Sequence, residues 1–118
     1  LKLPACDFIK ADVEGMELPV LQGAVETLRK YRPILYVEND QAEKSQALVE
    51  WIKQQGYDLY WHKPTMYNPN NYEGLKENIF TVKQKTEKGW LESYYISQNM
   101  LCLPIEDGIV IEGFEKVQ

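Results

Sequence analysis

The stretch from Asp7 to Ala24, DFIKADVEGMELPVLQGA, changes its apolar period in the middle, which predicts a strand followed by a helix. Phe8 to Val13 has the composition of a short strand, with Lys10 at its centre and apolar neighbours. A turn with two acids, Asp12 and Glu14, comes next. The apolar residues after this turn recur at helical spacing, so we expect one amphipathic helix.

The same alternation continues beyond Pro33, which ends this helix. Ile34 to Val37 is a continuous apolar run, typical of a strand that is covered on both faces. Asp40 to Glu43 has the form of a capping box and predicts a second helix, which Gly56 ends. Tyr57 to Trp61 is a third strand candidate. Alternating strands and helices with short links predict an α/β fold with a parallel sheet and right-handed crossovers.

The chain changes character after His62. Lys63 to Gly74, KPTMYNPNNYEG, is rich in Pro, Asn and Tyr and predicts an irregular loop. Asn78 to Val82 is a candidate for a short strand, and Met100 to Leu103 is apolar enough for a last core strand. The tail from Glu106 to Gln118 favours no single structure.

Composition narrows the function classes. At 118 residues the chain forms at most one domain, and its net charge of −5 argues against a nucleic-acid partner. No apolar run is long enough to cross a bilayer and no secretory signal opens the chain, although it begins with Leu1 and so fits a start inside a longer protein. Because no apolar run could cross a bilayer, we expect no membrane partner. Cys6 and Cys102 lack the spacing of a zinc or redox pair, so we expect buried free thiols, with a disulfide as the alternative, and a cytoplasmic location.

Polar side chains gather where the predicted strands end. Asp12 and Glu14 follow the first strand and Glu38 and Asp40 follow the second; we call these four residues the acidic rim. His62 ends the third strand. Because the carboxyl ends of parallel strands meet at one edge of a sheet, we expect these side chains to share the edge where ligands bind. Each acid alone is also a common helix-start residue, and both interpretations stay open.

Two basic residues stand out on the same strands. Lys10 must reach out of its strand or pair with Asp12 or Glu38, and an ordinary ion pair is the alternative to a functional role. His62 is the only histidine of the chain. It is either a packed or surface residue or a group for proton transfer.

The loop after His62 supplies further candidates. Tyr67, Asn68 and Asn71 would line a pocket for a polar substrate, or they would serve only as turn residues. The chain has no Gly-x-Gly loop after its first strand, no P-loop and no nucleophile elbow. Taken alone, the residues support a parallel α/β module with an acidic rim.

The opening stretch resembles a family signature. DFIKADVEGMELPVLQGA is similar to the D-x-I-K-x-D-V-E-G-x-E-x-x-V-L-x-G-A pattern of FkbM-type S-adenosylmethionine-dependent methyltransferases. The resemblance continues through RPILYVEND, GYDLYWH, YNPNNYEG, NIF and NMLCLP, from about Asp7 to about Pro104. It implies the class I (Rossmann-like) methyltransferase sheet, mostly parallel with an antiparallel last strand. The implied fourth to seventh strands are the strand of Lys10, Ile34 to Glu38, Tyr57 to His62, and Met100 to Leu103.

The resemblance also implies that residues 1–118 are a single partial domain, the carboxyl-terminal half of such an enzyme. The first three strands, with the glycine-rich loop and the main cofactor site, would precede Leu1. The implied reaction is methyl transfer from S-adenosylmethionine to an oxygen of a small molecule or sugar, and we expect this fragment to be inactive alone. Asp12 and Glu14 would orient or deprotonate the acceptor, with His62 as the alternative base. The implied substrate contacts are Lys10, Glu38, Tyr67, Asn68 and Asn71.

Two further expectations follow. By analogy with catechol-type methyltransferases, Asp12, Glu38 and Asn39 form a set of oxygen ligands suited to magnesium. The rival to an enzyme is a non-catalytic binding or assembly module that retains half a methyltransferase sheet. Because a truncated sheet exposes the edge of the strand with Lys10, and exposed edges pair readily, we expect a homodimer through this edge.

Overall fold

The computed structural model describes residues 2–118, which form two compact units. The first unit runs up to His62 and resumes at Gln98, and the second unit is Lys63–Ser97. Among residues 2–118, no helix is long and apolar enough to span a membrane. The elements in chain order are β1 (Phe8–Ala11), α1 (Glu17–Gly23), α2 (Val25–Tyr31), β2 (Ile34–Glu38), α3 (Ala42–Gln54), β3 (Tyr57–His62), β4 (Thr81–Thr86), β5 (Gly89–Tyr94), β6 (Asn99–Pro104) and a 3-10 helix (Ile105–Asp107).

The first unit has a mixed sheet in the order β1-β2-β6-β3. β1 pairs parallel with β2, whereas β6 is antiparallel to both β2 and β3. β1, β2 and β3 therefore run in one direction, but only one of the three pairings is parallel, unlike the parallel sheet that the alternation predicts. The last strand takes a central position because it is apolar enough to be covered on both faces: Met100 and Cys102 are buried on one face, and Leu103 is buried on the other.

The core lies on the face of the sheet that the helices cover. The register places Ala11, Val37 and Met100 side by side on this face. They belong to one buried cluster with apolar residues of all three α-helices, among them Leu21, Leu28 and Ile52. Burial of these side chains orders the strands and so holds the carboxyl ends of β1 and β2 next to each other.

The cysteines behave largely as expected. Cys6 and Cys102 are both free thiols, but only Cys102 is buried and Cys6 is half-buried. Burial raises the pKa of the Cys102 thiol, which makes it less reactive.

The helices differ in two places from the prediction. The single helix expected after Met16 is two short helices, because the backbone of Ala24 (φ −97°, ψ 10°) leaves the helical region directly after the weak helix former Gly23. The capping box at Asp40 is wrong: the N-cap of α3 is Gln41, which makes no side-chain capping hydrogen bond. Gly56 has φ +83° and ends α3 in the left-handed conformation that the sequence predicts.

The second unit contains an antiparallel hairpin that the sequence pattern did not predict, although the strand candidate Asn78 to Val82 overlaps the first two residues of β4. β4 and β5 pair from Thr81 opposite Tyr94 to Thr86 opposite Gly89. The side chains of β5 are exposed on both faces. The strand therefore lacks the apolar alternation that marks a half-buried strand.

The tail that favoured no structure covers the outer edge of β3. The amide of Trp61 donates to the carbonyl oxygen of Glu115 at 2.8 Å, and the amide of Val117 donates to that of Leu59 at 2.8 Å. Val117 is 6% exposed and joins the core cluster.

Candidate functional site at the carboxyl ends of the strands

The turn after β1 is built around the buried carboxylate of Glu17. This side chain is 6% exposed, and its Oε1 accepts hydrogen bonds from the amides of Val13 at 3.0 Å and Gly15 at 3.2 Å. The two bonds hold Glu14 and Gly15 in left-handed backbone conformations, with φ of 53° and 87°. Glu17 is thus both the first residue of α1 and the acceptor that fixes the turn before this helix. The sequence offers one signal for this role of Glu17: it is an acid that stands two residues after the glycine of a turn.

The same turn is pressed against the start of α3. A Cβ added to Gly15 would lie 2.4 Å from Oε1 of Gln41, whose flexible side chain would have to move, and the φ of +87° favours glycine there. Nζ of Lys44 donates to the carbonyl oxygen of Gly15 at 3.0 Å. The backbone that carries the exposed Glu14 is therefore fixed from both sides.

Lys10 forms the ion pair that was one of its two expected fates. Its Nζ lies 3.5 Å from Oδ2 of Asp12, and both side chains are about half exposed. β1 is the terminal strand of the sheet, and Phe8 on the same strand is 56% exposed. The face of β1 that carries Phe8 and Lys10 is therefore exposed. A substrate contact by Lys10 remains a prediction.

Glu38 has the most perturbed carboxyl group of the acidic rim. Partial burial raises its pKa to about 7, and the charges of Asp40 and Asp12, a hydrogen bond with Asp12 and the charge of Glu14 act in the same direction. The other three acids of the acidic rim therefore all lie within electrostatic reach of Glu38. A carboxyl group that is half protonated near neutral pH can accept or donate a proton at that pH.

Asn39 turns into the fold. Its side chain is 6% exposed, and Nδ2 donates to Oγ of Ser45 at 2.9 Å and to Sδ of Met100 at 3.3 Å. Among residues 2–118, no group of three or more His, Cys, Asp or Glu side chains is arranged to hold a metal ion. The proposed magnesium set of Asp12, Glu38 and Asn39 finds no support, because the amide packs against α3 and β6.

His62 lies on the same edge of the sheet as Glu38. Asn99 of β6 pairs with both residues, and neighbouring strands are about 4.8 Å apart, so their backbones are roughly 10 Å apart. The hydroxyl of Tyr36 lies 2.7 Å from Nδ1 of His62, and the ring of Phe114 lies 5.7 Å from the imidazole. These contacts orient a half-buried imidazole. Its role as a base stays a prediction.

The three loop candidates belong to the second unit and close a turn there. The hydroxyl of Tyr67 donates to the carbonyl oxygen of Leu75 at 2.8 Å. Nδ2 of Asn71 donates to the carbonyl oxygen of Asn68 at 2.9 Å, and Oδ1 of Asn71 accepts from the amide of Leu75. Tyr67, Asn68 and Asn71 therefore serve as turn residues. Contact of these residues with a substrate stays a prediction.

Comparison with known families agrees with the resemblance in the opening stretch. Residues 2–59, just under half of the chain, match the family model described as the methyltransferase FkbM domain. The matched range contains β1, β2 and all four residues of the acidic rim, so the resemblance is confirmed there. His62 and the second unit lie outside it. No curated protein and no solved structure matches the chain significantly.

Proposed function

We propose that this chain, whose residues 2–59 match the FkbM methyltransferase family, is the carboxyl-terminal half of an S-adenosylmethionine-dependent methyltransferase. Its acidic rim then serves methyl transfer to an oxygen of a small molecule or sugar. The observation that carries the proposal is that all four rim acids lie in the matched range, at the carboxyl ends of two paired strands. The antiparallel β6 beside three strands of one direction supports the assignment of the strands as fourth to seventh.

The residues of this chain do not form a complete cofactor pocket. The sequence contains no Gly-x-Gly loop after its first strand, which is the element expected to bind the cofactor. We therefore assign no cofactor contact to residues 2–118. When bound, S-adenosylmethionine supplies the activated methyl group.

The acidic rim can manage the proton of the acceptor. A hydroxyl group must lose its proton when its oxygen becomes an ether oxygen. Glu38, with a pKa of about 7, matches neutral pH better as a proton acceptor than an ordinary carboxylate does. Asp12, whose charge acts on Glu38, and Glu14 on its fixed turn would orient the hydroxyl. His62 is the alternative base.

The direct test is methyl transfer by the natural full-length protein. Radiolabelled S-adenosylmethionine is supplied with a panel of small-molecule and sugar alcohols, and the wild type is compared with Asp12→Asn and Glu38→Gln. We expect each substitution to lower the rate about a hundredfold or more, as for the loss of an acid–base group. Glu26→Gln, which changes an exposed acid on α2, is the matched control and should leave the rate unchanged. Full activity of both rim variants would exclude the acidic rim as the site.

The isolated chain tests the expectation of inactivity. Calorimetric titration of residues 1–118 with S-adenosylmethionine should give no tight binding, because the element expected to bind the cofactor is not in this sequence. Tight binding at one molecule per chain would show that these residues suffice.

A non-catalytic assembly module is the second candidate function, and the open edge of β1 favours it. The amide of Ile34 donates to the carbonyl oxygen of Asp7 at 2.9 Å, so the backbone groups of Asp7 point toward β2. Because successive residues alternate in a parallel ladder, the amide groups of Phe8 and Lys10 point away from β2. Within residues 2–118 no strand pairs with that side of β1. A second copy of the chain could add its own β1 there.

Light scattering tests the edge pairing. We expect the isolated chain to be a dimer at high concentration and Phe8→Pro to be a monomer, because proline removes an edge amide without removing a bond to β2. A monomeric wild type at the same concentration would count against the assembly module.

A further inference from the structure

The hairpin of the second unit presents a face on which aromatic and charged side chains alternate. Trp90, Glu92 and Tyr94 of β5 share this face because successive strand residues point to opposite sides. The register places Lys83 of β4 opposite Glu92. Trp90 is 72% exposed and Tyr94 is 62% exposed. Two large rings are therefore open to solvent on either side of a charged pair.

Two depressions on this hairpin meet at Glu92. One has a volume of about 430 Å³ and is lined by Lys83, Trp90 and Glu92. The other has a volume of about 550 Å³, and its lining includes Lys76, Glu92 and Tyr94. Each depression thus combines one aromatic ring, one ammonium group and the shared carboxylate of Glu92, and the second depression also has the carboxylate of Glu77. Across the described residues, no hydrogen bond or ion pair engages the side chains of Lys83 and Glu92, so their polar atoms are available to a ligand.

We propose that this hairpin binds a neutral oligosaccharide, with one sugar ring in each depression. The negative face of an aromatic ring attracts the C–H groups on the apolar side of a sugar. The hydroxyl groups of a sugar donate to a carboxylate and accept from an ammonium group, which suits Glu92 and Lys83. An aromatic ring beside a few polar groups is the usual composition of a small-ligand site.

The same groups argue against two other kinds of ligand. A single-stranded nucleic acid would also stack on Trp90 and Tyr94, but Glu77 and Glu92 offset Lys76 and Lys83 in the lining of the two depressions, so no net positive charge is present there to attract phosphate. A protein partner would cover an interface core depleted of charged residues. Here the Lys83–Glu92 pair occupies the middle of the surface. A neutral ligand rich in hydroxyl groups fits both the rings and the charges.

This inference goes beyond the proposed function and does not depend on it. The site lies wholly in the second unit, outside the range that matches the methyltransferase family. Binding is measured without a methyl donor. A failed binding test would therefore leave the methyltransferase proposal standing, and the reverse also holds.

The test is calorimetric titration of the whole chain with cello-, malto- and manno-oligosaccharides, from disaccharides to tetrasaccharides, and with glucose. We expect saturable binding of at least one series, with a dissociation constant of about 1 mM or lower and weaker binding of the monosaccharide. Trp90→Ala and Tyr94→Ala should each weaken binding about tenfold. Tyr72→Ala is the matched control, because Tyr72 is fully exposed and lines neither depression.

Three results would overturn the proposal. The first is an absence of saturable binding of every sugar up to about 50 mM, far above the expected dissociation constant. The second is unchanged affinity in Trp90→Ala and Tyr94→Ala, with circular dichroism showing that both variants are folded. The third is preferential binding of an oligothymidylate, which would assign the rings to nucleic-acid stacking. A second substitution, Glu92→Gln, should weaken sugar binding without removing either ring.

Discussion

The two ends of the sheet differ in how their charged side chains are paired. Opposite charges are paired at the amino ends of β2 and β3, whereas acids lie beside acids at the carboxyl ends of β1 and β2. At the amino end, Arg32 pairs with Glu106 and donates to the carbonyl oxygens of Gln55 at 2.8 Å and Gly56 at 2.9 Å. Its guanidinium lies 4.6 Å from the ring centre of Tyr57. The hydrogen bond between Arg32 and Glu106 raises the pKa of Arg32 and lowers that of Glu106 to about 2.

At the carboxyl end, acid lies beside acid. Burial and the neighbouring charges of Asp40 and Asp12 raise the pKa of Glu38 to about 7. The exposed pair of Lys10 and Asp12 gives that cluster only a weak counter-charge. Charges that are matched stabilise the fold, whereas charges that are left unmatched lower stability and are typical of functional sites. The contrast is what distinguishes the acidic rim from ordinary structural ion pairs.

The largest expected effect on the free energy of unfolding is at the amino end, where opposite charges are paired. Arg32→Ala removes an ion pair, two hydrogen bonds to carbonyl oxygens and the contact with Tyr57, so we expect the free energy of unfolding to fall by about 2–3 kcal/mol. Urea denaturation measures the change. Arg29→Ala, whose side chain is 65% exposed, is the control and should cost less than about 0.5 kcal/mol. Equal losses would show that Arg32 holds the amino end no better than a surface arginine.

The next effect concerns the carboxyl end, where hydrogen bonds to Glu17 rather than ion pairs fix the turn after β1. Glu17→Ala leaves the amides of Val13 and Gly15 without their acceptor, and we expect a loss of about 2 kcal/mol. Glu17→Gln keeps an acceptor oxygen and should lose about half as much. Urea denaturation gives both values, and hydrogen exchange should show faster exchange of the two amides in Glu17→Ala. Unchanged exchange at both amides would contradict the role of Glu17.

Glu38 should make stability depend on pH. Its pKa in the folded chain, about 7, exceeds its ordinary value of 4.5, so the folded state binds the proton more tightly than the unfolded state. The free energy of unfolding should therefore fall as pH rises from about 4.5 to about 7, by about 1–2 kcal/mol after solvent screening. Glu38→Gln should abolish this fall and be more stable than wild type at pH 8, a pH above both values. Denaturation of both proteins at acid and alkaline pH tests this, with Glu50→Gln, an exposed acid on α3, as control.

The smallest effect returns to the amino end. The hydroxyl of Tyr57 is buried and has no hydrogen-bond partner among the described residues, and burial raises its pKa to about 12. Tyr57→Phe should therefore be neutral or stabilise by up to about 1 kcal/mol. Tyr36→Phe is the matched comparison and should cost about 1 kcal/mol, because it removes the bond to His62. Thermal denaturation of both variants separates the two cases, and a clear loss in Tyr57→Phe would reveal a partner for its hydroxyl.

The sequence predicts which helices and strands the first unit contains better than it predicts which strands pair with one another. The spacing of apolar residues predicts β1, β2, α3, β3 and β6, because an element that is buried on one or both faces has apolar residues at regular positions in the sequence. It does not state which strands pair, so the place of β6 between β2 and β3 was not predicted. The β4–β5 hairpin was not predicted because β5 and most of β4 are exposed, so the two strands carry no alternation of buried apolar residues.

The acidic rim was predictable, but its internal support was not. Asp12, Glu14, Glu38 and Asp40 follow strands that the sequence marks clearly, and parallel strand ends meet at one edge. The bonds from the turn to Glu17, in contrast, depend on backbone conformations that no pattern specifies. The inward turn of Asn39 likewise depends on the packing of β6 beside it.

Direct titration of the Glu38 carboxyl group tests the contrast between the two ends of the sheet most closely. Carbon-detected NMR on the isolated chain follows this group from pH 3 to 9 in wild type and in Asp12→Asn. We expect a pKa of about 7 in wild type and a lower value in Asp12→Asn, because that substitution removes a neighbouring negative charge. An ordinary carboxylate pKa for Glu38 in wild type, with no change in Asp12→Asn, would contradict the account of the acidic rim as a cluster of acids without paired cations.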